Sequence, residues 1–169
     1  MELIDLPEFG PEDYALIVDG ERDPFGTDRL GIEWREKTAH VGLAEAGRLV
    51  AHAGWVPARV TAASGQAVEV LGLGSVLVHR SFRGSGVGLR LVGGAMERMR
   101  DLGGPVGMLF CRPQRLAFYR GLGWTRTTST VTVDQPGGVI TMPLETCWVP
   151  LSAGAAWPET DVHVEGLPF

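Results

Sequence analysis

Apolar and β-branched residues are concentrated in three stretches of the first half of the chain. The first two, His40–Ala44 and Arg48–Val60, are separated only by the short turn Glu45-Ala46-Gly47, which is the pattern of a β-hairpin. The third stretch, Ala67–His79, is rich in valine and leucine and follows a second break that ends at Gly65. We therefore expect three consecutive antiparallel strands.

Two glycines, Gly72 and Gly74, lie inside the third predicted strand. Glycine weakens the interior of a strand, because it loses more backbone freedom than other residues and has no side chain to pack. Its presence there indicates a β-bulge or the close approach of other backbone.

A regular helical pattern follows the glycine cluster in the middle of the chain, and Gly103-Gly104-Pro105 ends it. The apolar positions at helical spacing are Leu91, Val92, Ala95, Met96, Met99 and Leu102. Val106–Cys111 is then a predicted strand and Gln114–Arg120 a predicted short helix. A strand, helix and strand in this order predict a parallel strand pair, joined by a right-handed crossover, in an otherwise antiparallel sheet.

The patterns nearer the two ends predict further elements. Glu12–Val18 and Asp28–Arg35 are predicted short helices, and Thr128–Val133 with Val139–Val149 form a predicted final hairpin. The tail, Ser152–Phe169, is expected to be an ordered extended segment.

Composition places the chain among single-domain globular proteins. With 169 residues, 44% of them hydrophobic and 21% charged, residues 1–169 can bury one core and are expected to form one α/β (α+β) domain. Residues 1–5 lack the basic start of a signal peptide, and no run of about 18 apolar residues occurs. We therefore expect a cytoplasmic protein without membrane association.

Charge and cysteine content argue against other classes of protein. The formal net charge of −5 disfavours a nucleic-acid partner, because such proteins need a basic surface to displace counterions from phosphate. It suits a cationic substrate slightly better. Cys111 and Cys147 lack the paired spacing of a zinc site, so two free thiols and no metal are expected.

The segment Arg83-Gly84-Ser85-Gly86-Val87-Gly88 joins a predicted strand to the predicted central helix. Such a turn presents unpaired backbone N–H groups and the positive end of the helix dipole at one point, which together bind anions. Glycines let a pyrophosphate approach the backbone, and Arg83 can add a bidentate charge-assisted contact.

Competing interpretations of this turn fit less well. A nucleoside-triphosphate loop requires Gly-Lys-Ser/Thr, but Leu89-Arg90 follows Gly88. A dinucleotide-binding turn requires glycines spaced G-x-G-x-x-G, whereas these are spaced G-x-G-x-G. A turn that only packs helix on strand would explain one or two glycines, but not three beside an arginine.

The same segment resembles motif A of the GCN5-related N-acetyltransferases (GNAT), Gln/Arg-x-x-Gly-x-Gly/Ala, which Arg83, Gly86 and Gly88 match. The segment Leu116–Trp124 is similar to the family's fourth helix and the turn after it. The resemblance covers about Leu71–Arg126.

The resemblance implies a GNAT fold, in which a mixed, mostly antiparallel sheet contains a central pair of splayed parallel strands flanked by helices. Here Leu73–His79 and Val106–Cys111 would form that pair, and acetyl-CoA would lie in the gap between them. The implied cofactor-binding residues are Val76, Leu77 and Val78 for the pantetheine arm, and Arg83, Gly84, Ser85, Gly86, Val87 and Gly88 for the pyrophosphate.

The resemblance also implies catalytic roles. Tyr119 occupies the position of the family's general-acid tyrosine, and a phenol with a pKa of about 10 is protonated at neutral pH; simple packing of its helix is the alternative. Relatives often carry a glutamate as general base where this chain has Gly74. Glu69, His40 or His52 could replace it, or could serve only structural roles.

A further likeness, to the aminoglycoside 2'-N-acetyltransferases, rests on Trp124, on Met142-Pro143-Leu144 and on the aromatic chain end. It implies that the C-terminal region contributes an acidic group to the substrate site. A tail that merely packs on the surface is the alternative. The candidate groups are Asp161, Glu165 and the carboxylate of Phe169.

Other residues have two possible roles each. Aromatic faces attract cations and could wall an acceptor pocket, although core packing explains them as well; the tryptophans concerned are Trp34, Trp55, Trp148 and Trp157. Polar residues after the second splayed strand could reach the adenosine phosphates or could simply be solvated; they are Arg112, Gln114 and Arg115.

Together these observations predict an N-acetyltransferase that moves an acetyl group from acetyl-CoA to a primary amine by direct attack. The expected acceptor is a small molecule, for example an aminoglycoside-like polyamine. A protein or peptide amine would need an open groove beside the splayed strands, and a CoA-binding sensor without turnover would fit the missing glutamate. Homodimers are common in the family.

Overall fold

A computed structural model describes residues 1–169 as ten strands of one sheet and three α-helices. The strands are β1 (Glu2–Leu6), β2 (Ala39–Glu45), β3 (Arg48–Ala62), β4 (Ala67–Val78), β5 (Val106–Cys111), β6 (Thr125–Arg126), β7 (Val131–Gln135), β8 (Gly138–Thr141), β9 (Glu145–Pro150) and β10 (Val162–Val164). The α-helices are α1 (Pro11–Val18), α2 (Val87–Asp101) and α3 (Leu116–Arg120), and 3-10 turns cover Asp28–Leu30, Arg80–Phe82 and Pro113–Arg115.

The sheet is mixed and mostly antiparallel. Its order is β6-β9-β5-β4-β3-β10-β7-β8, and β2 pairs with the first half of β3 and with β1. The parallel pairs are β4 with β5 in the centre and β10 with β7. This arrangement confirms the predicted fold class.

Alternating side chains of β4 divide the interior into two cores. Leu71 and Leu73 face one side of the sheet, where α2 packs on β2, β3 and β4 with Leu91 and Met99 fully buried. Val70 faces the other side, where the C-terminal segment covers the sheet and buries Phe169. The C-terminal tail therefore forms part of the core. None of the helices combines the length and hydrophobicity needed to cross a membrane.

Several elements confirm the patterns of the sequence. The hairpin of β2 and β3 turns at Ala46 and Gly47, both with positive φ (49° and 77°), which gives a two-residue turn. The central β-α-β unit is formed by β4, α2 and β5, and the first predicted helix is α1.

Three predictions about secondary structure are corrected. The helix predicted over Asp28–Arg35 is only a 3-10 turn, because Gly31 adopts the left-handed conformation (φ 61°) and ends it. The strand predicted over Val139–Val149 is two strands, because Pro143 interrupts it and β9 joins β5 on the far side of the sheet. The tail contains β10, inserted between β3 and β7, which its three-residue length had concealed.

Candidate active site

The two central parallel strands part midway along their length. β4 pairs with β5 only from Val70 opposite Val106 to Leu73 opposite Leu109. Beyond these residues the edge of β4 that faces β5, from Gly74 to Val78, has no strand partner. The splayed pair that the GNAT resemblance implied is therefore present.

A β-bulge marks the point of separation. On β4, two residues lie between Gly74 and Leu77, but their partners on β3, Gly54 and His52, enclose only one residue. The extra residue distorts the strand, and Ser75 adopts a left-handed φ of 51°. The bulge predicted from the glycines of this strand is thus confirmed.

Two histidines, His52 and His40, form a hydrogen-bonded chain that ends at the bulge. His52 Nδ1 lies 2.9 Å from the carbonyl oxygen of Ser75, and His52 Nε2 lies 3.1 Å from His40 Nδ1. A carbonyl only accepts hydrogen bonds, so Nδ1 of neutral His52 carries the proton, Nε2 accepts, and His40 Nδ1 donates. Phe9 stacks on His52 at a centroid distance of 3.5 Å, and burial lowers the pKa of His52 to about 4. Both nitrogens of His52 are engaged, so it holds the bulge rather than acting as a base.

Lys37 crosses the sheet beside the bulge. Gly54 and Gly74 face each other on β3 and β4, and together they form a trough. A Cβ on Gly54 would lie 2.9 Å from Cβ and Cγ of Lys37, and a Cβ on Gly74 would lie 2.7 Å from Cε. Nζ donates a 2.8 Å hydrogen bond to the carbonyl of Arg35. Burial, helped by the charge of Arg35, lowers the pKa of Lys37 to about 8.

Phe169 fills the next position along the same face of β4. A Cβ on Gly72 would lie 2.2 Å from its ring, and a Cβ on Gly74 would lie 3.0 Å from its carbonyl carbon. The ring stacks on Phe110 at 5.1 Å. Lys37 and Phe169 thus occupy the space that a glutamate at position 74 would need, which explains why glycine stands there.

The glycine turn leads directly into α2. Gly84 and Gly86 have φ values of 77° and 84°, which L-residues rarely adopt, and no atom lies within 4 Å of a Cβ built on either. Gly86 is the N-cap of α2 and no side chain caps it, so the first-turn N–H groups that a helix leaves unpaired follow directly after this open turn. The structure therefore contains the predicted glycine turn at the start of a helix, and anion binding by it stays a prediction.

Arg83 has contacts that the sequence did not predict. Its Nε donates a 3.0 Å hydrogen bond to the carbonyl of Val78, and its two terminal nitrogens bind the carboxylate of Glu21. This hydrogen-bonded contact lowers the pKa of Glu21. Arg83 therefore ties the turn to the end of β4 and to the segment after α1, and its guanidinium faces a carboxylate of the protein itself.

Tyr119 lies at the inner side of α3, with 8% of its surface exposed. Its ring packs edge-on against Phe118 (4.9 Å) and Trp124 (6.1 Å). Burial, with a smaller effect from nearby Cys111, raises the pKa of the phenol. The hydroxyl group is therefore protonated at neutral pH, as a general acid must be.

Three acidic candidates for the general base lie elsewhere. Glu69 is exposed and opposite Arg59, with its carboxylate 3.9 Å from the guanidinium. It precedes Gly74 by five residues, so it points to the opposite face of β4 and does not reach the site. Glu165 binds Arg59 and Thr61, and Asp161 accepts from the backbone N–H of Thr130. Phe169 is the one candidate of the C-terminal region that comes to Gly74.

The predicted aromatic residues divide between the two cores. Trp55 is buried beneath α2 and is a core residue. Trp34 lies 6.5 Å from Phe110, and Trp148 stacks on Trp157 at 6.1 Å, all on the face that carries Phe169. Arg112, predicted to reach phosphate, donates to the carbonyl of Gly26 at 2.7 Å.

Two site residues were not predicted from the sequence. Lys37 is the only lysine of the chain, and no motif around it indicates a function. Its side chain lies over Gly54 and Gly74, which become neighbours only when β3 and β4 pair, so the buried stem could not be predicted from local sequence. Glu21 lies in an irregular segment with several acidic residues, so nothing in the sequence distinguishes it.

Comparisons with known proteins agree with this geometry. The sequence profile described as "Acetyltransferase (GNAT) domain" matches residues 23–127. A comparison with curated proteins gave no match. Among solved structures, the chain is similar to a GCN5-related N-acetyltransferase from Kribbella flavida, with 27% identity over 74% of this chain and a TM-score of 0.57. The chain spans about a third (33%) of the length of that protein.

Two other structures match nearly the whole chain. The GNAT-family N-acetyltransferase YhbS from Escherichia coli, solved with CoA, has a TM-score of 0.64 at 16% identity, over 98% of this chain and 88% of its own. A GNAT-family acetyltransferase from Brucella melitensis, solved with acetyl-CoA, has a TM-score of 0.55 at 19% identity, over 95% of this chain and 94% of its own. These likenesses show the same fold, and with the profile match over the splayed strands and the glycine turn they establish that the chain belongs to the GNAT family of acetyltransferases.

Proposed function

We propose that the protein transfers an acetyl group from acetyl-CoA to a primary amine of a small molecule by direct attack. The observation that carries this proposal is the parting of β4 and β5 immediately before a glycine turn that opens α2. An unpaired strand edge is followed along the chain by a helix N-terminus that can bind an anion. Acetyl-CoA needs both, because its pantetheine arm contains amides and its other end carries a pyrophosphate.

The chain's own residues fit the donor in three places. The free edge of Val76–Val78 offers backbone groups to the amides of the pantetheine arm. The glycines leave the turn uncovered, and the backbone N–H groups of Ser85 to Gly88 would bind the pyrophosphate there. Arg83 would add its charge there once its contact with Glu21 is exchanged for phosphate.

The reaction requires three steps from the protein. The amine nitrogen of the acceptor forms a bond to the acetyl carbon, and backbone N–H groups near Val78 stabilise the oxyanion. The carbon–sulfur bond then breaks, and Tyr119 donates its proton to the departing thiolate. The C-terminal region, where Phe169 reaches Gly74, is the candidate for receiving the proton of the attacking amine.

The acceptor side supports a small cationic substrate. Trp34, Phe110 and Phe169 follow one another on the face of the sheet that carries Gly74. Aromatic faces attract ammonium groups, and the net charge of −5 adds a favourable long-range field. Lys37 and Phe169 cover β4 beside the bulge, which leaves less room for an extended peptide than an open groove would provide.

The experiment that tests the proposal measures thiol release from acetyl-CoA with a panel of small amines, polyamines and peptides. Small amines are expected to react fastest. Release with peptides alone would indicate a protein acetyltransferase, and acetyl-CoA binding without release across the panel would indicate a sensor. Gly86→Val should abolish acetyl-CoA binding, because a β-branched residue resists a φ of 84°, while Gly137→Ala, where a Cβ meets nothing within 4 Å, should bind normally.

A further inference from the structure

Lys37 is placed where its amine can do more than fill space. Its stem lies in the trough formed by Gly54 and Gly74, where a side chain on either glycine would collide with it. Nζ lies 3.3 Å from the position of a Cβ on Gly74 and is held by the carbonyl of Arg35. The amine is thus fixed beside the residue at which β4 leaves β5.

This position adjoins the path proposed for the acetyl group. Gly74 immediately precedes the bulge at Ser75, and the free strand edge proposed to hold the pantetheine arm begins one residue later, at Val76. The reactive end of a donor bound along that edge faces the bulge, while its pyrophosphate lies at the other end, near Gly86. Lys37 is the amine of the chain that borders this end of the path.

The amine of Lys37 has two properties that a nucleophile needs. Only a neutral amine attacks a thioester, and an ordinary lysine with a pKa of about 10.4 is less than about 1% neutral at pH 8. Burial lowers the pKa of Lys37 to about 8, so about half of its population is neutral at that pH. The hydrogen bond to Arg35 also leaves the nitrogen lone pair free, because the lysine donates in it.

We propose that Lys37 is a self-acetylation site, and that its Nζ accepts the acetyl group when no acceptor amine is bound. Nζ forms a bond to the acetyl carbon, the carbon–sulfur bond breaks, and Tyr119 protonates the leaving thiolate. The nitrogen releases one proton to water, and water returns one proton to the Tyr119 oxygen, so the phenol is regenerated. The products are N-acetyl-Lys37 and CoA. The inference rests on the proposed use of acetyl-CoA at this site.

Lys37 is the only lysine of the chain, so an acetyl group found on a lysine identifies this residue. The other primary amine, at Met1, forms an ion pair with Glu45 at 2.9 Å, at the β1–β2 edge of the sheet. The folded protein is incubated with acetyl-CoA without any acceptor, and its mass and peptides are then analysed. One acetyl group on Lys37 is expected, at a rate that saturates with acetyl-CoA and falls when CoA is added as a competitor.

Matched variants locate the reaction. Lys37→Arg keeps a long cationic side chain but has no nucleophilic amine, and it should gain no acetyl group. Tyr119→Phe should keep Lys37 and acetylate it at least tenfold more slowly. Protein unfolded in denaturant should not be modified at a comparable rate, which separates a site-directed reaction from simple chemical acetylation.

The outcomes distinguish this inference from the proposed function. Acetyl transfer to an external amine, with Lys37 unmodified in its absence, would overturn self-acetylation and leave the proposed function intact. Modification at Met1 instead of Lys37, or a rate that does not saturate with acetyl-CoA, would also overturn it. Failure to bind acetyl-CoA at all would overturn both.

Discussion

His52 donates a hydrogen bond of 2.9 Å from Nδ1 to the carbonyl of Ser75, the residue with a φ of 51° at the bulge of β4. A non-glycine residue in this conformation costs of order 1 kcal/mol, and surrounding contacts must hold it. The buried imidazole of His52, stacked under Phe9, supplies one such contact. The geometry of the free edge of β4 therefore depends on a histidine from the neighbouring strand.

This relationship predicts a pH dependence of stability. Burial lowers the pKa of His52 to about 4, below the unfolded value of about 6.5, so the unfolded chain binds a proton first as the pH falls. The contribution of His52 to the free energy of unfolding is thus fully present above about pH 6.5. It decreases towards pH 4, by up to about 3 kcal/mol.

Denaturant unfolding between pH 7 and pH 4 measures this effect. His52→Gln should be less stable at pH 7 but should lose much less stability on acidification. Parallel curves for wild type and His52→Gln would contradict the assignment.

The contact of Arg83 with Glu21 predicts a competition with the donor. Both side chains are partly exposed, so their ion pair contributes at most about 1 kcal/mol. The phosphate of acetyl-CoA must displace the Glu21 carboxylate before it can bind the Arg83 guanidinium. Removal of the carboxylate should therefore strengthen acetyl-CoA binding. Glu21→Gln should lower the Kd for acetyl-CoA by up to about fivefold.

Calorimetric titration of acetyl-CoA checks this prediction. Glu97→Gln, an equal change of charge at an exposed position of α2, should leave the Kd nearly unchanged. Weaker binding by Glu21→Gln would mean that Glu21 positions Arg83 for phosphate rather than competing with it.

The central fold was predictable because its signals are local and mutually consistent. The β2–β3 hairpin, the β-α-β unit and the glycine turn follow from apolar periodicity and from residues that end strands and helices. In contrast, β10 is three residues long, and β9 follows β8 after a break at Pro143 but joins β5 across the sheet. Such pairings depend on contacts between distant parts of the chain, which local patterns do not contain.

The site was predictable to the same extent. The half proposed to bind the donor is one continuous segment, so its spacing alone predicts phosphate binding. The half proposed to receive the acceptor brings Lys37 and Phe169 together against one face of the Gly54–Gly74 pair, and their proximity follows only from the register of β3 with β4. Glu69 illustrates the limit, since counting residues along the strand places it nearby, while the alternation of side chains turns it to the other face.

The contact between Gly72 and Phe169 predicts that a larger residue at position 72 destabilises the protein. A Cβ on Gly72 would lie 2.2 Å from the ring of Phe169, so Gly72→Ala must displace that ring or the strand. Overpacking of this kind costs about 1–3 kcal/mol. The free energy of unfolding, measured in urea, should fall by this amount.

A second substitution tests the origin of that loss. In a Phe169→Ala background the ring is absent, so adding Gly72→Ala should cost much less than it does in the wild type. Equal costs in the two backgrounds would show that the penalty arises from the strand and not from contact with Phe169. Gly93→Ala, where a Cβ meets nothing within 4 Å in α2, should not destabilise the protein and serves as the control for the added methyl group.

Tyr119 predicts a loss of turnover without a loss of donor binding. Its buried phenol has a raised pKa, so it carries a proton throughout the neutral range and can release it to a thiolate. Tyr119→Phe keeps the ring and its edge-on contacts with Phe118 and Trp124 but removes the proton. Because general acid catalysis contributes about 10²–10⁴-fold, kcat should fall by at least about 100-fold. The Kd for acetyl-CoA and the unfolding midpoint should stay close to wild type. Adding Phe118→Tyr to Tyr119→Phe places a hydroxyl group one residue away, and this double variant should not regain activity. Turnover by Tyr119→Phe at the wild-type rate would instead assign Tyr119 to packing alone and would require another proton donor at the parting of β4 and β5.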